Sequence, residues 1–241
     1  MSDFLCDAHC HIDLDKQLLD LLIKYNIPAT INCQSRKEWH DYSPLTKSHP
    51  FLNISFGIHP WDVDFQEIEN NLDIFQQTPI IGEIGLDSVW TTNDILLQKK
   101  MFIKQLSLAT DMKKPVILHT KGMEKEIADI ISYFPNRYLV HWYSSQEHLK
   151  EYIKQDCYFT VGPSLLTDDA VKQVLTTVPK DRLLIESDGL DALAWALDKD
   201  IESVDYLDSQ KNLMVQCAKV LDMPLNEFRD LLQKNYLRWI N

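Results

Sequence analysis

Asp7-Ala8-His9-Cys10-His11-Ile12-Asp13 is the stretch on which the reading of this chain turns. It leaves a short apolar run at 4–7 and precedes a helix-period segment at 18–25. Side chains alternate along a strand, so His9 and His11 share one face while Cys10 takes the other. Two imidazoles spaced this way at a strand end can grip one divalent cation. A lone His-x-His pair is common by chance, so its weight depends on the other strand ends.

Seven further apolar runs follow, at 29–33, 52–57, 80–84, 116–119, 139–142, 158–161 and 183–186. Between them lie helix-period stretches at 94–112, 124–134, 145–155 and 168–177, and the last forty residues predict two more helices. Pro224 is placed for the first turn of the second of these. Ser144-Ser145-Gln146-Glu147 predicts a capping box, and Thr167-Asp168-Asp169 predicts oxygen and negative charge at a helix start. Near-continuous apolar strands alternating with helices imply a parallel sheet covered on both faces. Eight such units in 241 residues predict an α/β fold, a (β/α)8 TIM barrel formed as one domain over residues 1–241. The rival is a doubly wound open sheet, but no glycine-rich phosphate loop follows the first strand.

In a parallel barrel every strand C-terminus meets on one face. Of the eight histidines, His9, His11, His59, His119 and His141 fall at the ends of strands one, three, five and six. His40, His49 and His148 sit in helix or loop settings and read as solvated surface. Glu83 closes strand four and Asp188 closes strand eight. His9, His11, Glu83, His119, His141 and Asp188 therefore converge from five strands as a binuclear metal site. Structural metal sites usually close at four ligands, so a set of six argues for catalysis.

These residues also carry a resemblance. Asp7-x-His9-x-His11-x-Asp13, Gly57-Ile58-His59-Pro60, Gly82-Glu83-x-Gly85-Leu86-Asp87, Pro115-Val116-Ile117-Leu118-His119-Thr120, His141 and Glu186-Ser187-Asp188 are similar, in order, to the motifs of the TatD family. That family comprises metal-dependent hydrolases, several of them deoxyribonucleases, among the amidohydrolase-like barrels. The resemblance implies that His9 and His11 hold one metal with Asp188, and that Glu83 bridges to a second held by His119 and His141. Mixed nitrogen and oxygen donors suit two divalent ions drawn from Mg²⁺, Mn²⁺ or Zn²⁺. Two such ions polarise a phosphoryl or acyl oxygen and lower the pKa of a shared water.

Asp188 is the expected general base, as both ligand and proton acceptor. Glu186, one layer deeper, is expected to orient a ligand histidine. The resemblance places His59 in the site without making it a principal ligand, so it becomes a catalytic and substrate-binding donor to a substrate oxygen. Lys121 stands where family members often carry arginine and would meet a substrate phosphate or carboxylate. Asp13 and Asp87 read as braces of their loops. Trp61, Trp90, Trp142 and Tyr143 follow strand ends, where they would stack on a base or line the mouth. The rim departs from the family pattern at Ser88-Val89-Trp90, His141-Trp142-Tyr143 and Gly189-Leu190-Asp191-Ala192-Leu193. These changes spare the metal residues and leave the substrate open.

Composition narrows the choice. With 24 Lys and Arg against 36 Asp and Glu, the net charge is -12, so no general polyanion-coating surface is expected. No apolar run is long enough to span a membrane, and the N-terminal stretch from Met1 lacks a basic leader. Five scattered cysteines without a Cys-x-x-Cys pair point to reduced thiols and a cytoplasmic location. The six glycines all fall near predicted strand ends, where backbone would have to turn tightly. The leading expectation is a phosphodiesterase acting on DNA, as a monomer or weak homo-oligomer. Alternatives are a hydrolase of a small phosphoester, ester or C–N bond, including aminoacyl esters, and a barrel that binds metal only structurally.

Overall fold

The apolar runs become eight strands: β1 (Asp7–Cys10), β2 (Ala29–Cys33), β3 (Leu52–Phe56), β4 (Ile80–Asp87), β5 (Val116–Lys121), β6 (Tyr138–Val140), β7 (Tyr158–Val161) and β8 (Leu183–Ile185). The structure is a computed structural model and describes residues 4–200 and 204–241; Met1, Ser2 and Asp3 of the stretch read for a leader lie outside it. The strands are all parallel and hydrogen-bond in chain order from β1 to β8. The last meets the first: Asp188 N donates to the His9 carbonyl at 3.2 Å, and the Asp7 carboxylate accepts from Ser187 N and Oγ at 2.9 and 2.6 Å. The predicted (β/α)8 barrel is the observed architecture.

Helices α1 (Gln17–Tyr25), α2 (Arg36–Tyr42), α3 (Leu45–Ser48), α4 (Leu72–Gln77), α5 (Ile95–Met112) and α6 (Glu124–Ile131) cover the first half of the barrel. Helices α7 (Leu149–Lys154), α8 (Asp169–Thr177), α9 (Leu190–Leu197), α10 (Tyr206–Val220) and α11 (Leu225–Ile240) cover the second. Strand residues are buried on both faces, apolar ones such as Ile31, Ile54, Val116 and Leu184 among them. That two-sided burial is why these strands read as continuous apolar runs rather than alternating ones. Among the described residues no helix is long and apolar enough to cross a membrane.

Several boundaries differ from expectation, and two of them matter for the site. β1 runs 7–10 rather than 4–7, so His9 lies within the strand and His11 just past it. β4 runs on to Asp87, so Glu83 sits mid-strand and Asp87 joins the barrel wall. The helix expected at 145–155 starts only at Leu149, behind His148 in the left-handed conformation at φ 63°. No capping box forms, because Ser145 Oγ accepts from Glu147 N in a local turn and Ser144 Oγ accepts from Lys121 Nζ. Asp168 does cap α8, accepting from Ala170 N at 2.8 Å. Pro224 immediately precedes α11.

Gly82 and Gly85 lie inside β4, where the strand expectation had put glycine at turns. A Cβ on Gly85 would stand 1.9 Å from the His119 carbonyl oxygen, so only glycine lets β4 and β5 approach this closely. Beyond β8, Asp188 and Gly189 both take positive φ, 61° and 93°. A Cβ on Gly189 would meet the His11 carbonyl at 2.7 Å. The chain thus doubles back against β1, which delivers Asp188 to His9 and His11.

Candidate active site

Glu83 faces two ways. Its Oε2 lies 3.5 Å from His9 Nε2 and 3.4 Å from His11 Nε2, and those nitrogens lie 3.2 and 3.7 Å from Asp188 Oδ1. Its Oε1 lies 2.6 Å from His141 Nε2, 2.7 Å from His119 Nδ1 and 3.4 Å from His59 Nε2. The six metal-ligand positions read from the sequence therefore stand together in the folded chain. Asn32 of β2, which the sequence reading passed over, donates to Glu83 Oε2 at 3.4 Å and accepts from Ser55 Oγ at 2.5 Å. Its signal is an amide in the middle of a fully buried strand.

The donor chemistry fits cations. His9 is fully buried, yet neither ring nitrogen has a well-formed hydrogen bond, nor has Asp188 Oδ1, which approaches His9 Nε2 only as an ion-pair contact at 3.2 Å. A buried polar atom left unpaired costs about 1–3 kcal/mol, which a bound cation would relieve. Donor atoms of His9, His11 and Asp188, of His9, Glu83 and His141, and of His59, Glu83 and His119 each lie within 4.8 Å of one another. Burial alone would depress the pKa of His9, but Asp188 and Glu83 override it and raise it to about 9. The same contest raises His119 and His141. Glu83 and Asp188 go the other way: burial would raise them, and the surrounding histidines hold both below the usual carboxylate range. The cluster is built to keep carboxylates ionised and to gather positive charge.

Residues 6–241 match the sequence model of a family described as TatD related DNase. The chain belongs to that family. It is 28% identical over 155 residues to "Uncharacterized metal-dependent hydrolase YabD" of Bacillus subtilis, a match covering 60% of this chain and 61% of YabD. It is 25% identical over 198 residues to human "3'-5' RNA nuclease TATDN2", covering 76% of this chain and 26% of that protein. The crystal structure of YJJV, a TatD homolog from Escherichia coli K12, superposes with a TM-score of 0.80 at 19% identity, covering 96% of this chain and 95% of that one. The expectation of a TatD-type metal-dependent hydrolase holds at the level of the family.

Around this cluster of donors, buried carboxylates stand behind the histidines. Asp87 Oδ2 lies 3.1 Å from His119 Nε2 and accepts from Trp61 Nε1 at 2.7 Å, while Oδ1 accepts from Val89 N and Trp90 N at 2.8 Å each. Burial would raise Asp87, but these donors keep it far below the ordinary carboxylate range. Asp87 therefore braces its loop, as expected, and also reaches the site. Asp13 only braces, accepting from Gln17 N and Leu18 N at the start of α1. Glu186 Oε2 stands 3.7 Å from His141 Nδ1 while its Oε1 accepts from Trp142 N at 2.8 Å.

His59 is buried, and its Nδ1 accepts from Trp61 N at 3.2 Å, which leaves the proton on Nε2. Burial pulls its pKa down to about 4, so the ring is a neutral donor aimed at Glu83 Oε1. Lys121, at the end of β5, donates to Ser144 Oγ at 2.8 Å and rests 4.9 Å above the Trp90 ring. A cavity of about 1160 Å³ holds Glu83, His11, His59, His119, Lys121 and Asp188 on its wall. Trp61, Trp90 and Trp142 line it as expected, whereas Tyr143 is wholly buried and bonds the Glu147 carbonyl instead. Trp195 of α9 lines it too, from a segment the sequence reading left unassigned.

Proposed function

We propose that the chain hydrolyses phosphodiester bonds of DNA at a centre of two divalent cations, Mg²⁺, Mn²⁺ or Zn²⁺. The observation that carries this is Glu83, whose two oxygens address two separate histidine sets. His9, His11 and Asp188 would hold one ion, His119 and His141 the other, with Glu83 shared between them. Bound cations of this kind polarise a phosphoryl oxygen and lower the pKa of water.

The chain's own side chains supply the rest. Asp188, on the cavity wall beside His9 and His11, accepts the proton of the attacking water. His59 keeps Nε2–H directed inward and donates to a phosphoryl oxygen as charge grows there. Asp87 orients the His119 ring through its contact with Nε2, and Glu186 places a carboxylate 3.7 Å behind His141 Nδ1. Lys121 contributes a single positive charge beside the scissile phosphodiester, and the departing sugar alkoxide takes its proton from solvent water.

A second reading has one observation behind it. Lys121 is the sole Lys or Arg on the cavity wall among the described residues, which suits a small phosphoester or ester better than a long polyanion. Labelled single-stranded DNA assayed beside a panel of small phosphodiesters and esters, with each metal and with chelator, separates the two. Metal-dependent cleavage of DNA abolished by His119→Ala is expected. Turnover of small esters with DNA left intact would replace the DNA reading, and activity indifferent to chelation would remove the metal chemistry.

We further assign residues 1–241 to one catalytic domain working as a monomer or weak homo-oligomer in the cytoplasm. All five cysteines are buried and free, which supports a reducing compartment.

A further inference from the structure

We propose that four tryptophans at the barrel mouth form a wall on which a nucleobase stacks, so that substrate is gripped by a base rather than by a track of phosphates. The inference rests on the phosphodiester reading and adds how substrate is held. Trp61 follows β3, Trp90 follows β4, Trp142 follows β6 and Trp195 lies on α9. Ring centroids stand 6.3 Å apart for Trp61 and Trp90, 5.8 Å for Trp90 and Trp195, and 6.1 Å for Trp195 and Trp142. Four of the six tryptophans in the chain thus join into one continuous aromatic surface along the cavity. Neighbouring rings already touch, so a base lies against the wall and not between two of them.

This surface is costly unless something covers it. Trp61, Trp90 and Trp195 are 42%, 54% and 66% exposed, although contiguous indoles ordinarily bury themselves. Two of the rings are fixed in place, Trp61 Nε1 on Asp87 Oδ2 at 2.7 Å and Trp142 Nε1 on Ser164 Oγ at 3.0 Å. A ring fixed before binding loses little freedom when a ligand stacks on it. The wall also starts at the chemistry: the Trp61 ring is 5.0 Å from that of His59 and 6.4 Å from that of His119. A phosphodiester at the histidine cluster has its adjoining base within reach of the wall.

Charge argues against a backbone track. Lys121 is the sole Lys or Arg on the cavity wall among the described residues, whereas Asp168, Asp169 and Asp191 stand on the same wall. Stacking on indoles needs no cation and tolerates every base, since each has a π-face. Asp191 lies four residues before Trp195 on α9, which places a carboxylate acceptor beside the ring for base N–H groups.

Tryptophan fluorescence tests this apart from turnover. A deoxynucleoside monophosphate titrated into the purified protein should quench saturably, and 2-deoxyribose 5-phosphate should not. Trp195→Ala should weaken nucleotide binding roughly 5- to 150-fold, with Trp195→Phe recovering most of it. For a short single-stranded oligonucleotide, log affinity against log salt should have a slope near that of about one phosphate contact. In cleavage, the preference for an oligonucleotide over its abasic counterpart should shrink toward unity in Trp195→Ala and Trp90→Ala. Equal binding of the sugar phosphate, undiminished binding in both alanine variants, or a salt slope of several phosphates would overturn the wall. Metal-loaded protein that cleaves normal and abasic DNA alike refutes the wall alone, and protein that binds nucleotide without cleaving DNA refutes the phosphodiester reading alone.

Discussion

Asp87 Oδ2 lies 3.1 Å from His119 Nε2, while His119 Nδ1 lies 2.7 Å from Glu83 Oε1. The imidazole is therefore held between two carboxylates, one within the histidine cluster and one behind it. Partners behind a metal-binding histidine typically carry 10–100-fold in affinity or activity. Asp87→Asn, which keeps the volume and removes the charge, should cost metal affinity on that order. Calorimetric metal titration checks it, beside a thermal melt to show that the barrel persists. Metal affinity equal to wild type would leave Asp87 as a loop brace only.

Glu83 touches both histidine sets, whereas His141 belongs to one. Removing Glu83 in Glu83→Ala should deplete both metals together, and His141→Ala should deplete chiefly one. Metal content by mass spectrometry after gel filtration reads this directly. Equal depletion by the two variants would contradict a shared carboxylate.

Protons and cations compete for the same donors. His9 is raised from 6.5 to about 9, because Asp188 and Glu83 outweigh its burial. A folded pKa above the unfolded one stabilises fully below pH 6.5, and that contribution disappears as pH rises through about 9. Chelator-treated protein should therefore lose Tm across that window, with His119 adding in the same direction. Metal-loaded protein should hold its Tm there, and metal binding near neutral pH should release protons, seen as a buffer-dependent heat. A chelated sample whose Tm rises over the window would be incompatible with protonated histidines in the cluster.

Gly85→Ala should damage stability and site together. The added Cβ would stand 1.9 Å from the His119 carbonyl, so β5 must move and carry His119 with it. Overpacking of this kind costs about 1–3 kcal/mol. Urea denaturation and metal titration of the same variant should both report a loss. Wild-type metal affinity in a destabilised variant would uncouple the strand contact from the site.

Which residues would meet was legible because a parallel barrel converts position in sequence into position in space. His9, His119, His141, Glu83 and Asp188 each followed or ended an apolar run, and one face collects all such ends. Tyr143 shows where that rule stops: it follows β6 as Trp142 does, yet its ring turns into the core and packs near Tyr152 and Phe159. Which way a residue past a strand end points depends on the loop's path, and no periodicity records that. Trp195 was missed for the same reason, since its place on the mouth comes from how α9 lies across the barrel.

The sequence by itself determined the barrel and that His9, His11, Glu83, His119, His141 and Asp188 would gather on one face of it, because strand periodicity and the order of motifs are local properties of the chain. The family match over residues 6–241 agrees with that order. Only the tertiary structure decided that Glu83 divides its oxygens between two histidine sets, that Asp87 reaches His119, and that four distant tryptophans touch. Those facts depend on the register between neighbouring strands, on the close β4–β5 approach that Gly85 permits, and on the left-handed turn at Asp188. All three relate segments far apart in the chain, and are settled when the barrel closes.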